Sequence, residues 1–135
     1  MSRRSWNLIS WLLLVIWVTC GVLNMSHLRV ALLTSYGADL TAPAWLYVTL
    51  RGLNTRRPRT GIGALVGRTP EIAGSLIVLG STATEVSQLW WPHGLFPGIF
   101  DPLDIAAYFS GVGVCYALDR AFPIEESPPG AGLTG

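Results

Sequence analysis

Residues 6–25 form a run without a single charged residue, and Arg3 and Arg4 stand directly before it. A helix needs about 20 mostly apolar residues to cross the hydrocarbon core of a bilayer, and this run is long enough. A secretory signal peptide has a similar layout, but no A-x-A cleavage site follows, and residues 18–20 make a poor lipoprotein motif. We therefore expect residues 6–25 to be a retained first membrane-spanning helix.

The composition also indicates that the chain belongs in a membrane. Half of its 135 residues are hydrophobic and only 13% are charged, a balance with which a soluble domain of this size cannot cover its apolar surface. All nine basic residues are arginine and the net charge is +1, which is too small for a nucleic-acid-binding surface. We predict a single domain at residues 1–122 that contacts membrane lipids and has no nucleic-acid partner.

Three further segments have the length or the boundary signals of spanning helices. Residues 69–71, Thr-Pro-Glu, are typical of a helix start, because they supply a cap, a first-turn proline and an acid at the positive helix end. Pro123 discourages continuation of the last helix. The segment 38–53 is short and carries Pro43 near its start. We predict an all-α four-helix transmembrane bundle with a short or irregular second span, its helices covering about residues 6–25, 38–53, 71–91 and 102–122.

The distribution of arginine predicts the orientation. With four spans and a cytoplasmic N-terminus, every arginine except Arg29 lies inside, as the positive-inside rule requires. With three spans, the arginine-rich segment 51–68 would be translocated, which the rule disfavours. We therefore place both termini in the cytoplasm and the chain in the bacterial inner (cytoplasmic) membrane as a multi-pass protein. The Pro/Gly-rich residues 123–135 are expected to be mobile or held only by a partner.

Helix packing, not a disulfide, is expected to hold the domain together. Cys20 lies near the outer end of the first helix and Cys115 toward the inner half of the last, so the two are too far apart to be bridged. Small residues four positions apart let helices approach closely within a membrane. Such pairs occur at Gly63 and Gly67, Gly80 and Thr84, Ala107 and Gly111, and Gly113 and Ala117.

Acidic and polar residues gather in the stretch 84–104, which this topology places at the outer face. Glu85 lies inside the third helix, where an ionisable group is costly and is by default a functional-site hypothesis. Gln88, three residues on, shares its helix face. The competing interpretation is that Glu85 is a buried carboxyl hydrogen-bonded to Gln88 or to a nearby hydroxyl group.

The other polar residues of this face have simpler interpretations. Asp101 and Asp104 flank Pro102 in the pattern of a capped helix start. Asp39 joins them from the start of the short span. His93 lies in a Pro/Gly loop at the interface and is only a remote candidate for a metal ligand. The candidate ligand or proton site comprises Glu85, Gln88, Asp104, Asp101, Asp39 and His93.

No catalytic or metal-binding motif accompanies these residues. The sequence lacks H-E-x-x-H, C-x-x-C and G-x-S-x-G. The glycines of residues 61–67 have the wrong spacing for a dinucleotide-binding loop. We predict no catalytic residue, no metal and no cofactor, which favours a protein that is not an enzyme.

One pattern in the sequence combines four features. It has a glutamate, a glutamine three residues later, a Pro-Gly turn, and an aspartate pair at the start of a helix with small residues. Here these residues are Glu85, Gln88, Pro97, Gly98, Asp101, Asp104 and Gly111. The pattern resembles the VanZ-like integral membrane proteins. Residues 36–40 and 104–108 look closer still to a sister membrane family of unknown function, so the resemblance covers about residues 36–119.

The resemblance implies a fold and an outer-face acidic site more than an activity. The namesake protein is associated with resistance to teicoplanin. VanZ-like sequences usually have an arginine after the Pro-Gly turn and an asparagine one turn into the last helix, where this chain has Ile99 and Tyr108. An anion-binding role of that arginine is therefore not carried over.

Two functions of different classes remain open on the sequence. The first is a small accessory or binding subunit, whose helices pack against a larger membrane protein complex by protein-protein interaction. The second is an outer-face site that binds or modifies an envelope lipid or a glycopeptide-like ligand, with Glu85 as base or proton carrier. The first is favoured, because no nucleophile or metal constellation is visible.

Overall fold

The computed structural model describes residues 1–26, 31–54, 61–94 and 98–123, with the backbone alone for residues 31–35. Five helices form within these ranges, and no strand does. They are α1 (Arg3–Met25), α2 (Ala31–Arg51), α3 (Gly61–Val66), α4 (Pro70–Ser87) and α5 (Pro102–Ala121). The predicted all-α class is thereby confirmed.

The capping residues explain where three of the long helices begin. The side chains of Ser2, Thr69 and Asp101 accept hydrogen bonds from the backbone N–H groups of the first turns of α1, α4 and α5. Such contacts satisfy donors that have no partner within a helix. Pro70 and Pro102 follow two of these caps at a position where a missing N–H is harmless.

The second helix differs from the predicted short segment 38–53. It begins at Ala31, has 21 residues and contains Pro43 in its interior. Proline removes one backbone hydrogen bond but does not always end a helix when its neighbours pack well, and Pro43 is buried here. The helix ends at Gly52, which has φ of 60°, and Leu53 N–H donates to the Val48 carbonyl at 3.1 Å, as in a glycine-terminated helix end.

Helix α2 is the centre of the fold. It packs against α1 on one side and against α5 and α4 on the other, while α4 and α5 pack against each other. Trp6, Tyr47 and Val48 are the largest fully buried side chains. Trp17 of α1 stacks on Trp45 of α2, with ring centroids 6.1 Å apart. The helix α1 therefore lies at the edge of the described structure.

Helices α2 and α5 approach each other closely at Gly111. A Cβ atom added at Gly111 would collide with the Leu40 carbonyl oxygen, so glycine is required for this approach. Gly80 and Gly113, two other small residues of the predicted pairs, have no neighbour within 4 Å of such an atom. Cys20 and Cys115 are both buried and no disulfide joins them, as expected.

An ion pair joins the other end of α2 to the end of α5. Arg51 Nε lies 2.7 Å from Asp119 Oδ2, and the Tyr47 hydroxyl donates to the same oxygen at 2.8 Å. Arg51 Nη1 also donates to the carbonyls of Gly67 at 2.8 Å and Arg68 at 3.2 Å. Arg51 therefore holds α2, α5 and the start of α4 together, a role that its sequence position did not indicate.

One helix within the described ranges, α1, is long and apolar enough by itself to cross a membrane. Length and composition alone are a weak criterion, since a core helix of a soluble protein or a signal sequence also meets it. Only 11% of the apolar stretch of α1 is buried, unlike a core helix. The predicted set of four spanning helices is not confirmed on this criterion.

We predict that Gly111→Leu destabilises the protein by about 1–3 kcal/mol, because the new side chain must force α2 and α5 apart. Gly113→Leu is the matched control, since the same helix offers open space there. The apparent Tm of both variants in one detergent measures the effect. Equal Tm values for the two would contradict the close approach at Leu40.

Removing one partner of the Arg51–Asp119 ion pair should lower the free energy of unfolding more than replacing both partners. Asp119→Ala leaves Arg51 unpaired and should lower the free energy of unfolding by about 3–5 kcal/mol. The double variant Arg51→Met with Asp119→Leu should recover most of that loss. Arg120→Gln, which removes the exposed Arg120–Glu71 pair at 3.2 Å, is the control and should leave Tm unchanged. Comparable losses in Asp119→Ala and Arg120→Gln would contradict the prediction.

Candidate functional site

Glu85 is buried, with 3% of its surface exposed, in the last turn of α4. Its Oε1 accepts a hydrogen bond of 2.8 Å from the backbone N–H of Asp101. Its Oε2 accepts from the Tyr108 hydroxyl at 3.3 Å and from Gln88 Nε2 at 3.4 Å. Both carboxylate oxygens therefore have partners, and the side chain ties the end of α4 to the start of α5.

Asp101 caps α5 and also reaches α2. Its Oδ1 accepts from the Leu103 N–H at 2.9 Å, which confirms the predicted cap. Its Oδ2 accepts from the hydroxyl of Tyr36 at 3.1 Å. The same carboxylate therefore completes the first turn of α5 and links that turn to α2.

Asp39 and Asp104 face each other across the α2–α5 interface. Both are half-buried, their side chains interact with each other, and both lie within electrostatic range of Glu85. Asp39 also interacts with the side chain of Tyr108. Carboxylates this close repel one another when all are ionised, so a cation, a hydrogen-bond donor or a shared proton would stabilise the group.

Gln88 belongs to the same group of residues, whereas His93 does not. Gln88 caps the end of α4, and its side chain lies so close to Gly98 that a Cβ atom there would be 2.9 Å away. Its Oε1 is buried and has no hydrogen-bond partner among the described residues. His93 is exposed in the segment after α4, and within the described ranges no contact joins it to the acids.

The structure thus brings five of the six predicted residues together, and we call four of them, Glu85, Asp101, Asp39 and Asp104, the acidic cluster. Tyr36 and Tyr108 are the contacts that sequence analysis missed. Tyr108 lies one helical turn after Asp104, a spacing that places both on one face of α5. This spacing is the feature of the sequence from which the position of Tyr108 near Asp104 could have been predicted.

The acidic cluster lacks the features of a metal centre. In the parts of the chain that the structure describes, no group of three or more His, Cys, Asp or Glu side chains has the geometry to hold a metal ion. The hydrogen bonds instead make Glu85 and Asp101 connectors between helix ends. Asp39, Asp101 and Asp104 are all partly exposed, but Asp101 is engaged as the cap of α5, so a ligand from outside reaches Asp39 and Asp104 most directly.

Comparisons of the chain with protein-family models, with curated proteins and with solved structures find no match. The resemblance to VanZ-like proteins therefore stays a prediction. Pro97, which belongs to the resembling pattern, lies outside the described residues, as do Arg29, Arg56, Arg57, Arg59 and the tail from residue 124.

We expect Glu85→Ala to be much less stable than Glu85→Gln. Alanine leaves the Asp101 N–H without its acceptor, at about 1–3 kcal/mol, and the Tyr108 hydroxyl keeps only its interaction with Asp39. Glutamine keeps one oxygen acceptor of nearly the same size. The apparent Tm of both variants, with Tyr108→Phe as a control that removes one donor, measures the difference. An alanine variant with the Tm of the glutamine variant would show that these hydrogen bonds contribute nothing.

Proposed function

We propose that this chain is a multi-pass membrane protein in which α1, α2, α4 and α5 each cross the bilayer. We further propose that it acts as a non-catalytic accessory or binding subunit of a larger membrane protein complex. One observation carries the proposal: the outward faces of all four long helices are apolar.

Large apolar side chains are exposed on every long helix. Examples are Leu12 of α1 at 61%, Leu46 of α2 at 46%, Leu79 of α4 at 66% and Phe109 of α5 at 58% exposure. A soluble monomer rarely exposes contiguous apolar surface of this extent. The hydrocarbon core of a bilayer would cover these side chains at no cost.

The charged residues within the helices are compatible with a bilayer because they face inward or lie near helix ends. Glu85 and Asp119 are buried, at 3% and 4% exposure, and both are hydrogen-bonded to groups of neighbouring helices. Charged groups inside membranes are tolerated when they face the protein interior and pair there. The charged residues of α4 and α5 are thus compatible with helices that cross the bilayer.

The two ends of the fold differ in charge, which supports the proposed orientation. Along α2, twelve residues or about 18 Å of helical rise separate Asp39 from Arg51. The acidic cluster lies at the first end, and Arg51, Arg68 and Arg120 lie at the second. Because arginine is enriched on the cytoplasmic side, the second end is the cytoplasmic one in this proposal.

The helix α1 supplies the binding surface. It packs against α2, and within the described residues no other helix covers it extensively. Leu8, Trp11, Leu12, Val15, Val18 and Val22 are exposed along α1. Helices in membranes associate by packing of complementary side chains, so a partner helix would find a continuous surface there.

The subunit proposal is tested by extracting the protein from native membranes in mild detergent. The extract is then separated by size and analysed by mass spectrometry. We expect the chain to co-migrate with a larger complex in stoichiometric amount. The triple variant Leu8→Ala, Leu12→Ala, Val15→Ala should remain in the membrane fraction but migrate as a small species.

The matched control replaces three exposed apolar residues on other helices, Leu46→Ala, Leu76→Ala and Val114→Ala, and should still co-migrate. Wild-type protein that migrates alone from native membranes would overturn the subunit proposal. A chain found outside the membrane fraction would overturn membrane insertion itself.

A second candidate function rests on the convergence of Glu85, Asp39 and Asp104. In this alternative the acidic cluster binds or modifies an envelope lipid or a glycopeptide-like ligand at the outer face. The two half-buried aspartates would contact a cationic or hydrogen-bond-donating group of the ligand. Wild-type protein migrating alone would favour this function over the first. Glu85→Gln should then abolish the phenotype while preserving the amount of folded protein.

A further inference from the structure

An open groove of about 450 Å³ runs between α4 and α5 on the outside of the fold. Its volume falls within the range of small-molecule sites, about 300–1,000 Å³. The walls are apolar, and Gly74 and Gly113 make room between them. The lining side chains other than glycine are Glu71, Ser75, Val78, Leu79, Phe109, Val112 and Tyr116.

The groove occupies one half of the proposed span. Its lining on α4 extends from Glu71 to Leu79, eight residues or about 12 Å of helical rise. Half of the hydrocarbon core of a bilayer is about 15 Å thick. Glu71 lies in the first turn of α4, at the end of the fold that carries Arg51. The groove therefore lies in the cytoplasmic leaflet of the proposed topology.

Arg120 does not line the groove itself but pairs with Glu71 at the charged end, and it has unused hydrogen-bonding capacity. Glu71 Oε1 lies 3.2 Å from Arg120 Nη1 and accepts from the Tyr116 hydroxyl at 3.3 Å. The side chain of Arg120 is 62% exposed, and a guanidinium has five N–H donors. Arg68 is also exposed, three residues before Glu71. Two arginines and one glutamate make this end positive overall.

We propose that the groove binds one acyl chain of an anionic phospholipid of the cytoplasmic leaflet, with the lipid phosphate on Arg120. The charge at one end and the apolar walls beyond it match the order of head group and chain in such a lipid. Guanidinium groups bind phosphate oxygens well. The proposal rests on the proposed membrane insertion.

Photo-cross-linking in liposomes tests the proposal. The full chain is inserted into phosphatidylcholine liposomes that contain a phosphatidylglycerol probe, whose acyl chain carries a photoactivatable diazirine. Mass spectrometry locates the cross-links. We expect labelling of Val78, Leu79 and Phe109 to exceed labelling of the exposed α1 residue Leu12. Equal labelling of all four would mean that the probe samples bulk lipid only, and would overturn the proposal.

Two glycine variants separate occupation of the groove from general lipid contact. Gly113→Leu should fill the groove and reduce its labelling to the level of Leu12. Gly80→Leu is the matched control, because Gly80 has the same open space but does not line the groove, and it should label as wild type does. Unchanged labelling in Gly113→Leu would overturn the proposal.

Arg120→Gln tests the head-group contact. Loss of one arginine near a membrane surface should lower the preference for the phosphatidylglycerol probe over an equivalent phosphatidylcholine probe about fivefold. An unchanged preference would contradict the role of Arg120. A chain that fails to insert into liposomes overturns membrane insertion and this inference together, whereas an inserted chain with an unlabelled groove overturns this inference alone.

Discussion

The packing of α2 against α5 is the interaction on which the rest of the fold depends. At its closest point the backbone of α2 at Leu40 touches Gly111, where no side chain larger than hydrogen fits. Polar contacts hold the interface at both ends, from Tyr36 to Asp101 on one side and from Arg51 to Asp119 on the other. Because α1 and α4 both pack on α2, its position relative to α5 determines where they lie.

Each end of the α2–α5 interface lies next to a buried carboxylate, and the two carboxylates are stabilised in different ways. A buried charge is costly unless it is paired or hydrogen-bonded. Asp119 is neutralised by Arg51 at 2.7 Å. Glu85 has no cation within its described contacts and is held by an N–H and two side-chain donors. The first arrangement pairs opposite charges between two helices, whereas the second gathers several carboxyl groups, of which Asp39 and Asp104 are partly exposed.

The beginnings of α4 and α5 could be predicted from sequence, whereas the extent of α2 could not. Thr69 and Asp101 cap their helices by contacts within three residues, so the local sequence contains the whole signal. Pro43 was one reason to expect a short or irregular second span over residues 38–53, because proline lacks an N–H. Its tolerance inside α2 depends on packing with other helices, and no local pattern reports that packing. The hydrogen bonds of Tyr36 and Tyr108 could not be predicted for the same reason, since their partners lie 65 and 23 residues away.

The sequence by itself determined the all-helical class, the caps, the apolar character of the helices and the separation of arginines from most of the acids along the chain. These properties follow from residue type and short spacing. Only the tertiary structure decided that α2 is central, that Arg51 pairs with Asp119, that no contact among the described residues joins His93 to the acids, and that a groove opens between α4 and α5. Those features depend on which helix faces meet, and helix pairing is set by the fit of side chains distant in sequence.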